Sequence, residues 1–334
     1  MTRIVLAGTG LIGARHLEAI LADPALTLAA VVDPAPAGVV PAPLFADLAA
    51  CDVGADALVI ATPTATHADL AVAAAARGWH ALVEKPIASS VAEARRTIDA
   101  HAAAGTRLLV GHHRRHHPRV AALCDAVAAG AIGRPVAGTL IWAMRKPDAY
   151  FDTPWRQGRE GGPIRMNLIH EIDLLRFVLG EVVEVAALGG NPVRGTGRVE
   201  AGGALLRFED GAVVTVAFAD TAPSPWGFEA ATGENPNIAT TGQDSLRLTG
   251  TGGAVSFPSL TLWRGTDWHT PPVRETLDAP DGAPLARQLS HLADIVAGRA
   301  EPLCSGRDGL RALEVVEEIE RRCEAGLAVA EAVA

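Results

Sequence analysis

The chain has 334 residues, of which 49% are hydrophobic, and its formal net charge is −9 at pH 7. This length allows two domains of ordinary size with a large buried core, and the composition excludes a disordered chain. The negative charge argues against a nucleic-acid partner, and no apolar run approaches the roughly 20 residues of a membrane-spanning helix. The four cysteines are scattered without a CxxC pair, which favours free thiols over disulfides or zinc. Because no export signal stands out, we expect a cytoplasmic protein.

The first 118 residues alternate strand-like and helix-like segments, which predicts a parallel sheet with helices on both faces. The strand-like segments are continuous apolar runs, as in strands that are buried on both sides. The predicted elements are strand 3–7, helix 11–21, strand 28–32, strand 57–61, helix 65–77, strand 80–83, helix 90–104 and strand 107–110.

After residue 118 the pattern changes to strand-like pieces with turn signals between a few helices. The predicted elements are helix 119–129, strand 135–144, helix 168–179, hairpins over 203–219 and 244–257, and helices 283–297 and 307–326. The segment 220–243 is long and rich in Pro, Gly and Asn, which is typical of a functional or mobile loop. We therefore predict an α+β domain over 119–334, whose last helix is a candidate to pack back on the first domain.

The segment "VLAGTGLIG" contains Gly8-x-Gly10-x-x-Gly13 between a predicted strand and a predicted helix. Gly8 allows a tight turn, Gly10 lets a pyrophosphate approach the backbone, and Gly13 lets helix and strand pack closely. Asp33 ends the next strand and would accept hydrogen bonds from a ribose. A glycine-rich turn without a ligand is the alternative. Since a carboxylate repels a 2′-phosphate, Asp33 favours NAD over NADP.

Four segments in order carry a resemblance to a known family: "AGTGLIG", "ATPTATHADLA" (61–71), "VEKP" (83–86) and "GGPIRMNLIHEIDLLR" (161–176). With them the chain resembles the glucose–fructose oxidoreductase/inositol dehydrogenase (Gfo/Idh/MocA) family over nearly its whole length. The resemblance implies an α/β N-terminal Rossmann domain over 1–118. It further implies a second domain built on a large, mostly antiparallel sheet, with the site between the two at the carboxyl ends of the Rossmann strands.

The resemblance also assigns residues. It implies that Lys85, in a Glu-Lys-Pro segment whose proline is often cis, reaches both the nicotinamide ribose and the reacting hydroxyl, and that His170 is the catalytic histidine. The predicted cofactor-binding residues are Gly8, Thr9, Gly10, Leu11, Ile12, Gly13, Asp33, Thr62, Pro63, Thr64, His67, Glu84 and Lys85. One position departs from the family pattern: Met166 stands where polyol-oxidising members have Asp or Asn, and Asn167 is one residue away.

Hydride transfer from a secondary alcohol needs a base within hydrogen-bond reach of the hydroxyl. We assign His170 as the acid/base and Lys85 as the electrostatic and positioning partner. The alternatives are a surface lysine after a strand and a buried helical histidine bonded to a carbonyl. Asp173 lies one helical turn after His170, so it either positions that ring or pairs with Arg176.

The segment "GHHRRHHP" (111–118) follows a predicted parallel strand, at the end where such sheets bind ligands. Two arginines among the histidines argue against a metal site, so none is predicted. We expect pocket roles for His113 and one arginine, and structural roles for His116 and His117. The predicted substrate-binding residues are His113, Arg115, Tyr150, Trp155, Arg156, Asn167 and His170.

The sequence thus predicts an NAD-dependent oxidoreductase acting on a secondary alcohol or ketone of a small polar substrate, sugar-, cyclitol- or hydroxy-acid-like. The alternatives are an NAD(P)H-dependent imine or ketone reductase and a non-catalytic dinucleotide sensor. We expect a homodimer or homotetramer through the C-terminal sheet. If Arg115, Arg156 and Arg165 gather near the pocket, the substrate carries a carboxylate, since arginine binds carboxylates bidentately.

Overall fold

The computed structural model describes residues 1–195, 197–265, 267–280 and 282–333, without the side chains of Trp155 and of 327–333. The described chain divides into two compact units. The first consists of 1–117 together with 282–313, and the second of 118–280 together with 314–333.

The sheet of the first unit has six parallel strands in the order β3-β2-β1-β4-β5-β6. The strands are β1 (Thr2–Ala7), β2 (Leu26–Val32), β3 (Leu44–Phe45), β4 (Ala57–Ile60), β5 (His80–Val83) and β6 (Leu108–Val110), and the helices between them are α1 (Leu11–Ala22), α2 (His67–Ala76) and α3 (Val91–Ala104). The chain runs outward from β1 in both directions, which creates a switch point between β1 and β4. In such sheets ligands bind at the carboxyl ends of the strands beside the switch point.

Local signals set the ends of these helices. Ser90 Oγ accepts a hydrogen bond from the N–H of Glu93 at 3.3 Å, and the Glu93 carboxylate accepts one from the N–H of Ser89 at 3.1 Å. This reciprocal capping starts α3 one residue after the serine. Gly105, with φ of 67°, ends the helix in the left-handed conformation.

The second unit contains an eight-stranded sheet in the order β14-β13-β12-β11-β7-β10-β9-β8, in which only β7 and β10 pair in parallel. Its elements are α4 (Pro118–Ala128), β7 (Pro135–Ala143), α5 (Ile169–Leu179), β8 (Val182–Gly190), β9 (Ala201–Phe208), β10 (Val213–Ala219), α6 (Phe228–Thr232), β11 (Leu246–Gly250), β12 (Gly253–Phe257), β13 (Thr261–Arg264) and β14 (Val273–Thr276). The α/β Rossmann domain, the large, mostly antiparallel sheet and both predicted hairpins are confirmed.

Two segments of the second unit are more ordered than the sequence indicated. A π-helical turn over Ile164–Leu168 precedes α5, so helical structure begins four residues earlier than predicted. The predicted loop 220–243 contains the short helix α6, which is held by Phe228. That side chain is 1% exposed and stacks on Phe257 with 5.5 Å between ring centroids.

The structure moves the predicted boundary between 118 and 119 by one residue, and it places 282–313 in the first unit instead of the second. This segment contains α7 (Pro284–Val296) and the start of α8 (Gly306–Val333). Leu289 and Leu292 of α7 belong to the same buried cluster as Ile4 of β1 and Leu109 of β6. Their helical spacing makes a continuous apolar stripe, and burying that stripe assigns the segment to the first unit.

Two further findings concern the whole described chain. No described helix combines the length and the hydropathy that crossing a membrane requires. No disulfide joins the four described cysteines, Cys51, Cys124, Cys304 and Cys323, as predicted.

Leu292→Ala tests whether α7 is part of the first unit's core. Leu292 is fully buried, so its truncation should lower the free energy of unfolding by about 2–5 kcal/mol. Leu21→Ala is the matched control, because Leu21 is 56% exposed and its loss should cost less than about 0.5 kcal/mol. Urea unfolding followed by circular dichroism measures both. Equal effects would show that α7 contributes nothing to this core.

Candidate functional site

The glycine fingerprint forms a tight strand–turn–helix junction between β1 and α1. Gly8 has φ of +89°, and a Cβ at this residue would lie 2.6 Å from the carbonyl oxygen of Ala61. A Cβ on Gly13 would collide with the carbonyl oxygen of Gly8. Gly10 behaves differently, because a Cβ there would meet no described atom within 4 Å. The backbone at Gly10 is therefore open to a ligand, directly at the N-terminus of α1, where phosphates are favoured.

Asp33 follows β2, and its carboxylate connects the loops beside the fingerprint. Oδ2 accepts hydrogen bonds from the N–H and the hydroxyl of Thr9, both at 2.7 Å, and Oδ1 accepts one from the N–H of Ala35 at 2.9 Å. Burial raises the pKa of Asp33, but these three hydrogen bonds outweigh it and hold the pKa below its usual value. The carboxylate is therefore ionised at neutral pH and fixed in position.

Glu84 lies at the carboxyl end of β5 and is 5% exposed. Its Oε1 is 2.8 Å from Nε2 of the fully buried His16, and its Oε2 accepts a 3.2 Å hydrogen bond from the N–H of Lys85. Burial raises the pKa of Glu84, but the hydrogen bond and charge of His16, followed by His113 and Lys85, lower it to about 2. An ionised carboxylate only accepts hydrogen bonds, so Nε2 of His16 carries the proton.

The Glu-Lys-Pro segment is tied to the loop after β4 by His67. The Lys85–Pro86 peptide bond is cis, as the resemblance implied. His67 is 1% exposed, with Nδ1 2.8 Å from the carbonyl oxygen of Pro86 and Nε2 2.9 Å from that of Thr62. Burial lowers the pKa of His67 despite these carbonyls, so the neutral ring donates to one of them at a time. This geometry favours a positioning role for His67 over direct contact with a cofactor.

The segment 111–117 forms the loop at the carboxyl end of β6, as predicted. Gly111 packs against Glu84, since a Cβ there would lie 2.9 Å from Oε2 of that carboxylate. His113 is 6% exposed and is among the groups that lower the pKa of Glu84. His116 packs against His291 with 5.1 Å between ring centroids, and burial, with help from nearby cationic groups, lowers its pKa to about 3. These contacts agree with a structural role for His116.

In the second unit the side chains of Tyr150 and Arg156, both predicted to bind substrate, pack against each other. The guanidinium carbon of Arg156 lies 4.3 Å from the Tyr150 ring centroid, and Lys146 Nζ lies 4.9 Å from it. Arg156 also donates to the carbonyl oxygen of Tyr150 at 3.2 Å. Burial raises the pKa of the Tyr150 hydroxyl, so it remains a hydrogen-bond donor at neutral pH. The side chain of Trp155, also predicted here, lies outside the described part of the structure.

Asn167 and His170 lie three residues apart where the π-helical turn meets α5. His170 is 7% exposed. The Oδ1 atom of Asn167 is buried and accepts no hydrogen bond from the described residues. Asp173 pairs with Arg176 at 3.8 Å, which is one of the two roles predicted for it.

Two of the three arginines expected to gather for a substrate carboxylate are engaged elsewhere. Arg115 donates to the carbonyl oxygen of Leu303 at 2.9 Å and to Asp308 at 3.2 Å. Arg165 binds the buried carboxylate of Glu320 through Nε and Nη2, both 2.9 Å from Oε2. The hypothesis is corrected accordingly, because burial drives these guanidinium groups to pair with protein acceptors.

The residues of the first unit fit a bound dinucleotide. The open backbone at Gly10 and the N-terminus of α1 suit a pyrophosphate, and the fixed, ionised carboxylate of Asp33 suits ribose hydroxyls. The described residues offer no comparable site for a metal ion. Across 1–195, 197–265, 267–280 and 282–333, no group of three or more His, Cys, Asp or Glu side chains could hold one.

Comparison with known proteins agrees with this arrangement. Residues 2–112 match the model of an oxidoreductase family with an NAD-binding Rossmann fold, GFO_IDH_MocA, and residues 120–256 match the C-terminal domain model of the same family. The chain belongs to the Gfo/Idh/MocA oxidoreductase family. The resemblance inferred from the sequence motifs is thereby confirmed.

Individual relatives in this family differ in how much of the chain they match. The inositol 2-dehydrogenase of Rhizobium meliloti (strain 1021) is 28% identical over 96% of this chain and 96% of its own length. The 1,5-anhydro-D-fructose reductase of Ensifer adhaerens is 32% identical. The aligned part covers 51% of this chain and 54% of that protein. The solved WlbA dehydrogenase from Bordetella pertussis, in complex with NADH and UDP-GlcNAcA, shares the fold with a TM-score of 0.79. Its sequence identity is 24%, over 98% of this chain and 96% of that one.

Sequence reasoning missed two residues that build this site, His16 and Gly111. His16 lies three residues after Gly13, on the face of α1 that packs against the sheet, so its burial was readable from the helical period. Its partner Glu84 was not readable, because 68 residues separate the two in sequence. Gly111 was seen only as the start of the histidine-rich segment.

Glu84→Gln tests the ionised state of this carboxylate. A folded-state pKa of about 2, below the usual 4.5, gives stability that is present above pH 4.5 and is lost as the pH falls toward 2. The difference in unfolding free energy between wild type and variant should therefore be largest near neutrality and shrink below pH 4.5. Glu301→Gln is the control, since that exposed carboxylate should contribute less than about 1 kcal/mol at any pH. A difference for Glu84 that stays constant with pH would contradict the assignment.

Proposed function

We propose that this protein is an NAD-dependent dehydrogenase that transfers hydride between the nicotinamide and a secondary alcohol or ketone carbon of a small polar substrate. The observation that carries the proposal is the Glu84-Lys85-Pro86 segment. The carboxylate of Glu84 is fixed by His16, and the carbonyl oxygen of Pro86 is held by His67. Both contacts lie at the carboxyl end of β5. This geometry presents Lys85 beside the loops that suit a dinucleotide, which is expected of a catalytic residue rather than of a surface lysine.

The roles of the side chains follow from their chemistry. Bound NAD supplies the acceptor for the hydride. His170 removes the hydroxyl proton during oxidation and returns it during reduction, because an imidazole nitrogen can both accept and release a proton. The Lys85 ammonium group stabilises the developing alkoxide and orients the hydroxyl. Asn167 accepts a hydrogen bond from a second substrate hydroxyl through its buried Oδ1.

The proposed cofactor is NAD rather than NADP. The ionised Asp33 carboxylate, fixed by Thr9 and Ala35, accepts hydrogen bonds from ribose hydroxyls and repels a 2′-phosphate. The sequence contains no Arg or Lys between Arg15 and Arg77 that could neutralise such a phosphate nearby.

The proposed substrate class is sugar- or cyclitol-like, with hydroxy acids as the second candidate. A sugar or cyclitol is supported by relatives such as the inositol 2-dehydrogenase and by the polar groups of Tyr150, Arg156 and Asn167. A hydroxy acid is supported by Arg156 and Lys146, which bring two positive charges to the Tyr150 ring and so suit a carboxylate. Met166 offers no polar group to a polyol hydroxyl, so recognition differs from that of members with Asp or Asn at this position.

The protein is proposed to form a homo-oligomer through the sheet of the second unit. Leu188, Leu205 and Val213 lie on one face of neighbouring strands and are 74%, 49% and 38% exposed. Apolar side chains grouped on one sheet face are typical of an interface. Size-exclusion chromatography with light scattering measures the mass directly. A monomer mass at micromolar concentration would contradict the proposal.

Lys85→Ala and His170→Ala test the catalytic assignment. Each should lower turnover by about two orders of magnitude or more, the scale of an acid/base or alkoxide-stabilising group. NAD affinity should change little in His170→Ala. Reduction of NAD is measured by absorbance with the best substrate from a panel of myo-inositol, D-glucose and D-gluconate.

His269→Ala is the matched control, since His269 is exposed and should leave turnover unchanged. Normal turnover of His170→Ala would show that another group is the base. Absence of turnover by the wild-type chain on every alcohol and ketone offered, together with tight NAD binding, would favour a dinucleotide sensor.

A further inference from the structure

The loop after β2, residues 34–43, contains no polar side chain. Its ten residues are all Pro, Ala, Gly or Val, so none of its side chains can donate a hydrogen bond. Four of the ten, at 34, 36, 41 and 43, are prolines, which also lack a backbone N–H. A ligand that accepts hydrogen bonds from this loop must therefore use the backbone N–H groups of the other residues.

The N–H groups nearest to Asp33 are already bound within the protein. That of Ala35 donates to Asp33 Oδ1 at 2.9 Å, and that of Ala37 donates to the Thr9 hydroxyl oxygen at 3.0 Å. The residues at 34 and 36 are prolines. Over 34–37, the stretch that directly follows Asp33, every backbone N–H thus has a partner in the protein.

The Thr9 hydroxyl connects this stretch to the Asp33 carboxylate. It donates to Asp33 Oδ2 at 2.7 Å while it accepts the N–H of Ala37, so its proton and one of its lone pairs are both in use. Hydrogen bonds arranged in such a chain strengthen one another. Because Thr9 is only 4% exposed, its hydroxyl influences a cofactor through Asp33 and Ala37 rather than by direct contact.

This arrangement bears on a 2′-phosphate at the adenosine ribose. Such a phosphate needs cations or hydrogen-bond donors to offset its charge. No Arg or Lys lies between Arg15 and Arg77, so the donors nearest in sequence are backbone N–H groups, which form phosphate sites in many loops. Here Thr9 occupies the N–H of Ala37, and Asp33 occupies that of Ala35. A phosphate beside 34–37 would meet a fixed carboxylate and N–H groups that are already engaged.

We propose that Thr9 is a positioning residue that sets the preference for NAD over NADP. Its hydroxyl fixes the Asp33 carboxylate and withholds the N–H of Ala37 from a 2′-phosphate. The inference rests on the NAD preference proposed above and adds a second residue to it. Loss of the hydroxyl would free one donor for a phosphate and loosen the charge that repels it, and both changes favour NADP.

Thr9→Val tests this role, because valine keeps the shape of the side chain and loses both hydrogen bonds of the hydroxyl. NADH and NADPH are titrated against wild type and variants, and binding is followed by cofactor fluorescence. The ratio of the NADPH to the NADH dissociation constant should fall by about threefold or more in Thr9→Val. Thr9→Ser keeps the hydroxyl and should retain the wild-type ratio.

Thr97→Val is the matched control. Thr97 is fully buried in α3 of the same unit, and its hydroxyl donates to the carbonyl oxygen of Glu93 at 3.0 Å. This variant also loses a buried hydroxyl hydrogen bond, but it should leave the ratio unchanged. Thr9→Ala provides the same test of the hydroxyl if the valine methyl group beside Asp33 prevents folding.

The pKa of Asp33 in the protein without cofactor is an independent measurement. Burial raises this pKa, and the hydrogen bond from the Thr9 hydroxyl is among those that lower it. Thr9→Val should therefore raise the pKa of Asp33, whereas Thr9→Ser and Thr97→Val should not. Carbon-13 NMR of labelled aspartate follows the titration, and Asp33→Asn identifies the signal.

The outcomes separate this inference from the proposed function. An unchanged ratio in folded Thr9→Val or Thr9→Ala, an unchanged pKa of Asp33, or a ratio as low in Thr9→Ser as in Thr9→Val would overturn the role of Thr9 alone. Equal binding of NADH and NADPH by the wild type would overturn the proposed cofactor together with it. Because no turnover is measured, failure of the proposed dehydrogenase activity is detected separately.

Discussion

The arrangement of the ligand-facing loops in the first unit depends on the carboxylate of Asp33. One oxygen accepts both the N–H and the hydroxyl of Thr9, the other accepts the N–H of Ala35, and the Thr9 hydroxyl accepts the N–H of Ala37. These bonds connect the glycine turn after β1 to the loop after β2. The same charge that holds the loops together is the one that a ribose would meet, so loop structure and cofactor choice share one group.

A second carboxylate organises the other side of the switch point. Glu84 is buried between His16 of α1 and the backbone of Gly111, and it accepts the N–H of Lys85. His67 then links the carbonyl oxygens of Thr62 and Pro86. The backbone on both sides of Lys85 is therefore held by hydrogen bonds to Glu84 and to the carbonyl oxygen of Pro86. Such support suits the catalytic role proposed for this lysine.

The sequence predicted the parts of this molecule that depend on local or periodic signals. Three features are set by residues that lie close together in the sequence. They are the glycine spacing, the apolar runs of β1 to β6 and the hairpin around Asp210 and Gly211. The sequence could not predict which side chains, distant along the chain, pair with each other in the folded protein. Arg115 and Arg165 read as substrate ligands, yet Asp308 and Glu320 hold them, and these acids lie 193 and 155 residues away in sequence. The same limit hid the pairing of His16 with Glu84.

The central claim is that an ionised Asp33 selects NAD, and a titration with both reduced cofactors tests it most directly. NADH and NADPH are added to the wild-type protein and to Asp33→Ala, and binding is followed by cofactor fluorescence. The account predicts that the wild type binds NADH at least about tenfold more tightly than NADPH, and that Asp33→Ala narrows this gap. Equal or tighter binding of NADPH by the wild type would contradict it.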